Sequence, residues 1–499
     1  MSNETDLKTA LDRAIASYDS DPEPLRQLTR ELRQNSSRKL CHRAAKHLNE
    51  RDPQNLEALA SLIYCQAMAD RKATLRTSLD RAHQRAAGDP AVLEQMFTAV
   101  RQSLTAQDRD RVEALLSDYD GETGQIAARR RSNLAARDRL LQRRGIKPNS
   151  CDVITVASNE GPYIAEFIHH YLYLGFSGIY IGLNNDHSGR TGPIVEAIQV
   201  QHPQVHLINT DREHQQGQQR SSYSRLYDAA SRSSTASHCM VVDVDEAWVP
   251  QPFDSTIGTF LAAHGDADVV SSNWLHCHGG ELFGSPLDLA HTRLRLTDQF
   301  KSLFRYGLAV TDLGAHVPWV LAEPPIHHTS SDGQAVLSSS VGDLRRLRKR
   351  GIQANINCAN TGWVIHRHTR SELEYASKLL YPDVNKQAIP FKPNRKGFVM
   401  PPESQQALRL ASRLFGPSLQ PPQAYTASYQ RFISRCGIQP LISDAQAEIN
   451  EADITQRIEQ MEPRMIQRHR AVWEKTFRGT RFLSLLDRRA RKAADHADT

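Results

Sequence analysis

Between residues 153 and 244 the chain alternates short β-rich apolar runs with segments of helical periodicity. No other feature restricts the fold as much. The runs are VITVAS (153–158), GIYIGL (178–183), VHLINT (205–210) and CMVVDV (239–244). After the first, GPYIAEFIHHYLYLG (161–175) sets Ile164, Phe167, Ile168, Tyr171 and Leu172 on one helical stripe. Pro162 falls in its first turn and Gly175 ends it. Further helices are predicted at about 191–202 and 220–233. Strands alternating with helices predict βαβ units and a mostly parallel sheet, an α/β fold. Such sheets bind ligands outside the carboxyl ends of their strands.

The fourth run leads into a charge cluster. CMVVDVDEAWVP (239–250) brings Asp243, Asp245 and Glu246 directly after an apolar strand. Carboxylates this close repel one another and titrate upward unless something compensates them. A divalent cation would do so, and carboxylate oxygens suit Mg²⁺ or Mn²⁺, with water and phosphate oxygens completing the shell. Side chains two apart on a strand share a face, so Asp243 and Asp245 are expected to share one ion.

At 499 residues the chain is too long for one ordinary core. Residues 1–147 read as helical. RDPQNLEAL (51–59) and GDPAVLEQM (88–96) lie 37 residues apart, each with Pro near a helix start and an apolar stripe after it. The period suits either tetratricopeptide-like hairpins or an irregular helical bundle. GIKPNSCD (145–152) breaks the helical pattern, 150–383 carries the sheet, and 384–499 reads as a helical, basic region.

The net charge is +6, and residues 464–499 hold ten Lys/Arg against four Asp/Glu. The runs 128–147 and 344–350 are also basic. These are either solvated helix faces or a means of touching an anionic membrane surface or partner. No zinc finger, RNP motif or basic zipper points to specific nucleic-acid binding. The first residues carry no signal-peptide apolar run and no apolar stretch is long enough to span a bilayer. The seven scattered cysteines lack a CxxC pair, which suggests free thiols. A cytoplasmic location is expected, with a peripheral position at the inner face of the membrane as a variant.

VASNEGPYIAEFIHHYLYLGFSGIYIGLNNDHSGRT, followed by VVDVDEAWVP, resembles nucleotide-sugar glycosyltransferases of the family 2-like type, and is also similar to family 92-type enzymes. SSNWLHCHGGELFGSP (271–286), FKSLFR (300–305), LGAHVP (313–318) and WVIHRHTRSELEYASK (363–378) resemble their later segments, in order. The resemblance covers roughly 150–380. It implies a GT-A fold, a Rossmann-like sheet binding a nucleotide-diphosphate sugar through Mn²⁺ or Mg²⁺, and transfer to a glycan, lipid or protein acceptor, with inversion.

Carried over onto this chain, the resemblance implies donor contacts from Asn159, Glu160, Asn185, Asp186, Arg220, Asp243 and Lys301. Gln219 and Arg220 match the polar pair before the metal strand. Asp243 and Asp245 would hold the metal, with His316 as a late ligand or diphosphate contact. Asp245 and Glu246 stand at the reacting end. Inverting transfer also needs a carboxylate base at the acceptor hydroxyl. Candidates are Glu281, Asp298 and Asp312, of which Glu281 lies in the W…FG segment and is preferred. Two departures, Ser188 in the loop and Trp248 one position late, bear on donor choice and leave Asp243 and Asp245 intact.

Two readings from other classes compete. The sheet could be a degenerate transferase in a helical scaffold protein. It could also be a metal-dependent phosphohydrolase, whose Asp-x-Asp normally follows a first strand and wants Thr or Val where this chain has Ala247. The many histidines form no H-x-x-x-H pair and have no matching cysteine set, which speaks against zinc.

Overall fold

The computed structural model describes residues 4–34, 38–52, 56–68, 78, 82, 131–142, 145–265, 267–320, 326–336, 356–358, 361–381, 391–393 and 395–495. The chain forms two compact units, 1–125 and 126–499. In the first, helices α1 (Glu4–Ala16), α2 (Glu23–Gln34), α3 (Arg38–Arg51) and α4 (Leu56–Met68) pack in succession. Leu11, Leu25, Leu32, Leu48, Leu59 and Ile63 form their shared core. The second copy of the repeat, 88–96, and the basic run 344–350 lie outside the described residues.

The second unit is built on strands β1 (Lys147–Ala157), β2 (Gly178–Leu183), β3 (Val205–Asn209), β4 (Ala236–Val241), β5 (Glu246–Pro250), β6 (Val269–His278), β7 (Arg293–Arg305), β8 (Val310–Leu313), β9 (Pro318–Val320), β10 (His328–Ser330) and β11 (Gly362–Thr369). Nine form one sheet in the order β3-β2-β1-β4-β7-β6-β11-β5, with β10 beside β6. The pairs among β3, β2, β1 and β4 are parallel, as are β6 with β11 and β10. β7 runs antiparallel to β4 and β6, and β5 antiparallel to β11. The fold is therefore α/β with a mixed, mostly parallel sheet.

The continuous apolar runs are what a sheet covered on both faces requires. Successive residues point to opposite faces. Thus Val153, Ile179, Ile181, Met240 and Val242 enter one core, beneath α5 (Gly161–Tyr173), α6 (Thr191–Gln201) and, later in the chain, α8 (Ile257–Ala263). Ile154, Tyr180, Cys239 and Val241 enter the other, beneath α7 (Asp211–Ser233). α5 ends where expected: Gly175 has φ 81, a conformation that costs a side-chain-bearing residue energy.

Three elements differ from the sequence reading. β1 begins inside the expected break, at Lys147, and absorbs the irregular residues as a register shift between Lys147 and Cys151, with Asn149 at φ 53. α7 begins at Asp211, nine residues before the expected helix start at about 220. β4 ends at Val241, so Asp243 and Asp245 do not share a strand face; they sit in a turn closed by the Glu246 N–H donating to the Asp243 carbonyl at 3.0 Å.

That turn constrains the whole sheet. It leads directly from β4 to β5, which the sheet order separates by four interstrand steps, roughly 19 Å if flat. A hydrogen-bonded turn spans under about 7 Å. The sheet must curl to bring β5 near β4.

The helices after 400 are built into this unit. α9 (Glu372–Leu379) precedes them; they are α10 (Gln405–Phe415), α11 (Gln423–Cys436), α12 (Gln439–Ala447), α13 (Glu451–Gln460), α14 (Pro463–Arg468), α15 (Arg470–Thr476) and α16 (Leu483–Asp495). Leu410, Leu414 and Tyr425 pack with Val249, Leu275 and Trp363, while Phe432, Ile438 and Ile442 join the core beneath α5. Tyr375 and Leu379 of α9 meet Ile454, Ile458, Trp473 and Leu486. Among the described residues, no helix is long and apolar enough to cross a membrane. All seven cysteines are free thiols.

Candidate functional site

Topology gathers the site. β1, β2 and β4 are parallel neighbours, so Asn159–Glu160, Asn185–Asp186 and the Asp243–Asp245 turn all leave the sheet at one edge. β7 is antiparallel to β4 and β6 to β7, so β6 and its parallel partner β11 end at the same edge. The end of β11 delivers Arg370. Ser371 then caps α9 with a reciprocal Ser371–Glu374 capping box, which fixes where Lys378 emerges two turns on.

The acidic turn is compensated by two lysines. Lys301, on β7, is fully buried, its Nζ 3.1 Å from Asp243 Oδ2 and 2.9 Å from Glu246 Oε2, with 0% of its side chain exposed. Burial opposes its charge, but Asp243 and Glu246 outweigh burial and hold the ammonium above its ordinary range. Gln219 and Tyr223, one turn apart on α7, each donate to Asp243 Oδ1 at 3.2 Å. Asp243 still keeps 33% of its side chain exposed.

Asp245 is held from the other side. Lys378 Nζ lies 3.3 Å from its Oδ2 and 3.5 Å from Glu160 Oε1. Burial alone would raise the Asp245 carboxyl; Lys378, His366, Arg370 and Arg395 overcome it and hold the carboxyl well below the usual range. Arg370 donates to Glu160 Oε2 at 3.1 Å, and its guanidinium lies 3.3 Å from the Tyr163 ring centre. Burial opposes that charge as well, and Glu160 restores it.

Three cavities adjoin here. One is lined by Asn159, Glu160, Tyr163, Asn185, Lys378 and Tyr381, among others. A second surrounds Asp245 with Arg367, His368, Lys378, Lys392 and Arg395. A third runs from Asp245 past Glu166 to Phe283. Arg370 lines all three.

The sequence-predicted residues divide. Asn159, Glu160, Asn185 and Asp245 line the cavities, and Asp243 stands at the same turn. Asn159 and Asn185 both have positive φ, 55 and 42, the left-handed turn geometry asparagine tolerates. Asp186 is spent on its own loop: it accepts from the backbone N–H and hydroxyl of Thr191 at 2.9 and 2.8 Å and from the Ser188 hydroxyl at 3.1 Å, fixing the start of α6. Arg220 pairs with buried Asp312 at 3.3 Å. His316 donates through Nδ1 to the Phe300 carbonyl at 2.9 Å and rests on Trp274, whose other neighbours are His276 and His366. Glu281 is at the surface, 68% exposed and 3.9 Å from His291, and Asp298 is also exposed.

The sequence reading missed Arg370, Lys378, Lys392, Tyr163 and Glu166 as site residues. Arg370 and Lys378 lie in WVIHRHTRSELEYASK, where attention to the histidines hid the cations around them. Among the described residues, no group of three or more His, Cys, Asp or Glu is arranged to hold a metal ion. The donor set here is two carboxylates, one part-exposed, with an ammonium against each. That fits the Mg²⁺ habit of taking one or two protein carboxylates and completing its shell with phosphate and water. No protein-family model and no curated protein matches this chain.

Proposed function

We propose that the second unit is a GT-A-type glycosyltransferase, acting on a nucleotide-diphosphate sugar in the cytoplasm. One observation carries the reading: an Asp-x-Asp turn meets Arg370 and Lys378 in adjoining cavities at the carboxyl edge of a mostly parallel sheet. Fold alone would not support it. The site must hold a dianionic diphosphate beside carboxylates, and cations within reach of both make that possible.

In this reading the nucleoside lies in the cavity of Asn159, Asn185 and Tyr163, which offers polar turns and an aromatic face. The diphosphate lies toward Lys378, Lys392 and Arg395. Lys378 now serves Glu160 and Asp245 as counter-ion; being 29% exposed, it can turn to a phosphate oxygen. Asp243 and Asp245 would hold Mn²⁺ or Mg²⁺, which when bound offsets charge on the leaving diphosphate. Lys301 fixes Asp243 and Glu246, so the turn keeps its shape with or without ligand. The acceptor is a glycan, lipid or protein hydroxyl, and the basic C-terminal helices offer contact with an anionic surface.

The test is nucleotide release from a panel of uridine, guanosine, cytidine and thymidine diphosphate sugars, with Mn²⁺ or Mg²⁺. Release from one donor, lost in Asp245→Asn, is the expected result. Failure of every donor with folded protein would contradict the reading, and phosphate release from simple phosphoesters would favour a phosphohydrolase.

A further inference from the structure

The third cavity has a chemistry unlike the other two. It is walled by Tyr163, Phe167, Phe283 and Pro286 and opens on Asp245 at one end. Tyr163 and Phe283 form a tilted aromatic pair in its wall, with ring centres 6.5 Å apart. Phe283 has φ 55, a backbone state that costs a bulky residue energy, so the loop holds this ring in place against its own preference.

One carboxyl in this wall has no assigned work. Glu166, on α5, accepts a hydrogen bond from the Ser285 hydroxyl through Oε1, and this is its one hydrogen bond among the described residues. The other ionisable groups at the cavity are committed. His170 donates through Nε2 to the Trp248 carbonyl at 2.7 Å and accepts at Nδ1 from the Tyr425 hydroxyl at 3.4 Å; burial keeps it neutral, with its pKa lowered to about 4. Asp245 is bound to Lys378, and Glu246 to Lys301. Arg367 donates to the Gly284 and Gly279 carbonyls, holding the loop that carries Phe283.

We propose that this cavity is the acceptor subsite, that it presents an acceptor hydroxyl beside Asp245, and that Glu166 is the general base for transfer. The inference rests on the transferase reading and names the acceptor subsite and the base within it. Glu166 takes the proton as the acceptor O–H bond breaks. The acceptor oxygen bonds to the anomeric carbon, the bond from that carbon to phosphate breaks, and its electron pair leaves on the diphosphate. Burial raises the Glu166 carboxyl to about 7, against the lowering by Ser285 and Arg367, which suits a base working near neutrality. Facing it are Arg367 of β11, Tyr425 and Tyr429 of α11, and Asp245 and Glu246 of the turn.

The experiment uses the full chain, the panel of nucleotide sugars, and water or methyl glycosides as acceptors. Glu166→Gln should lower nucleotide release on the order of 100-fold or more while calorimetric affinity for the nucleotide diphosphate stays within about twofold. The acid limb of the wild-type rate profile, centred near pH 7, should disappear. Ser285→Ala, which removes a hydrogen bond that favours the charged form, should move that limb to higher pH. Nucleotide binding together with release that Glu166→Gln leaves unchanged would overturn this proposal alone. A wild-type protein that binds no nucleotide would overturn it together with the transferase reading.

Discussion

Lys301 and Lys378 serve the same acidic turn from opposite sides, and they differ in burial. Lys301 is enclosed between Asp243 and Glu246, and no water can replace it. Lys378 reaches Asp245 and Glu160 from the end of a capped helix with part of its length in solvent. A buried charge cannot lose its partner without leaving the other uncompensated, whereas an exposed one exchanges it for water or ligand at little cost. The first lysine is therefore a strut of the fold and the second an arm of the site.

The widest separation should come from removing each lysine. Lys301→Met leaves the fully buried Glu246, and the part-exposed Asp243 beside it, without a counter-charge and should cost about 3–5 kcal/mol in urea unfolding. A loss below about 1 kcal/mol would show that the turn does not depend on it. Lys378→Ala should cost clearly less stability than Lys301→Met, because Arg370 still compensates Glu160 and Asp245, and should weaken nucleotide-diphosphate binding roughly tenfold. Equal effects of the two variants on stability would end the distinction.

Glu166 adds a pH arm. Its folded pKa of about 7 lies above the ordinary glutamate value, so the folded state disfavours its ionised form. Below the unfolded pKa the group is protonated in both states and costs nothing. As pH rises toward 7 the wild-type protein loses stability, on the order of 2 kcal/mol after allowance for partial solvent access. Glu166→Gln should thus raise the melting temperature at pH 8 and leave it unchanged at pH 4. A gain of equal size at both pH values would contradict the raised pKa.

The smallest effect belongs to Glu281→Gln. With its carboxylate in solvent, nucleotide release should stay within about twofold of wild type, against the 10²–10⁴ range typical of a lost base. A large loss there would return the base to the position the sequence first suggested.

The sheet was legible because burial on both faces leaves runs such as VITVAS and GIYIGL in the sequence. The start of α7 was not, because DREHQ carries no apolar stripe; periodicity begins only at Tyr223, Leu226, Tyr227 and Ala230, which are buried. The acidic turn was read as strand because Val242 and Val244 continue the apolar alternation through it. What bends the backbone is the hydrogen bond from Glu246 to Asp243, which side-chain pattern does not encode. Asp243 and Asp245 stood out by local spacing. Their cationic partners did not, since Lys301 and Lys378 lie 58 and 133 positions away and meet them only through the sheet.

The most direct test of the central claim is calorimetric titration of the wild-type protein and Asp245→Asn with nucleoside diphosphates and their sugar conjugates, with Mn²⁺ and with chelator. The account predicts that one nucleotide binds the wild type, more tightly with Mn²⁺, and that Asp245→Asn loses the metal-dependent part. Absence of binding to every nucleotide by folded wild-type protein would contradict it.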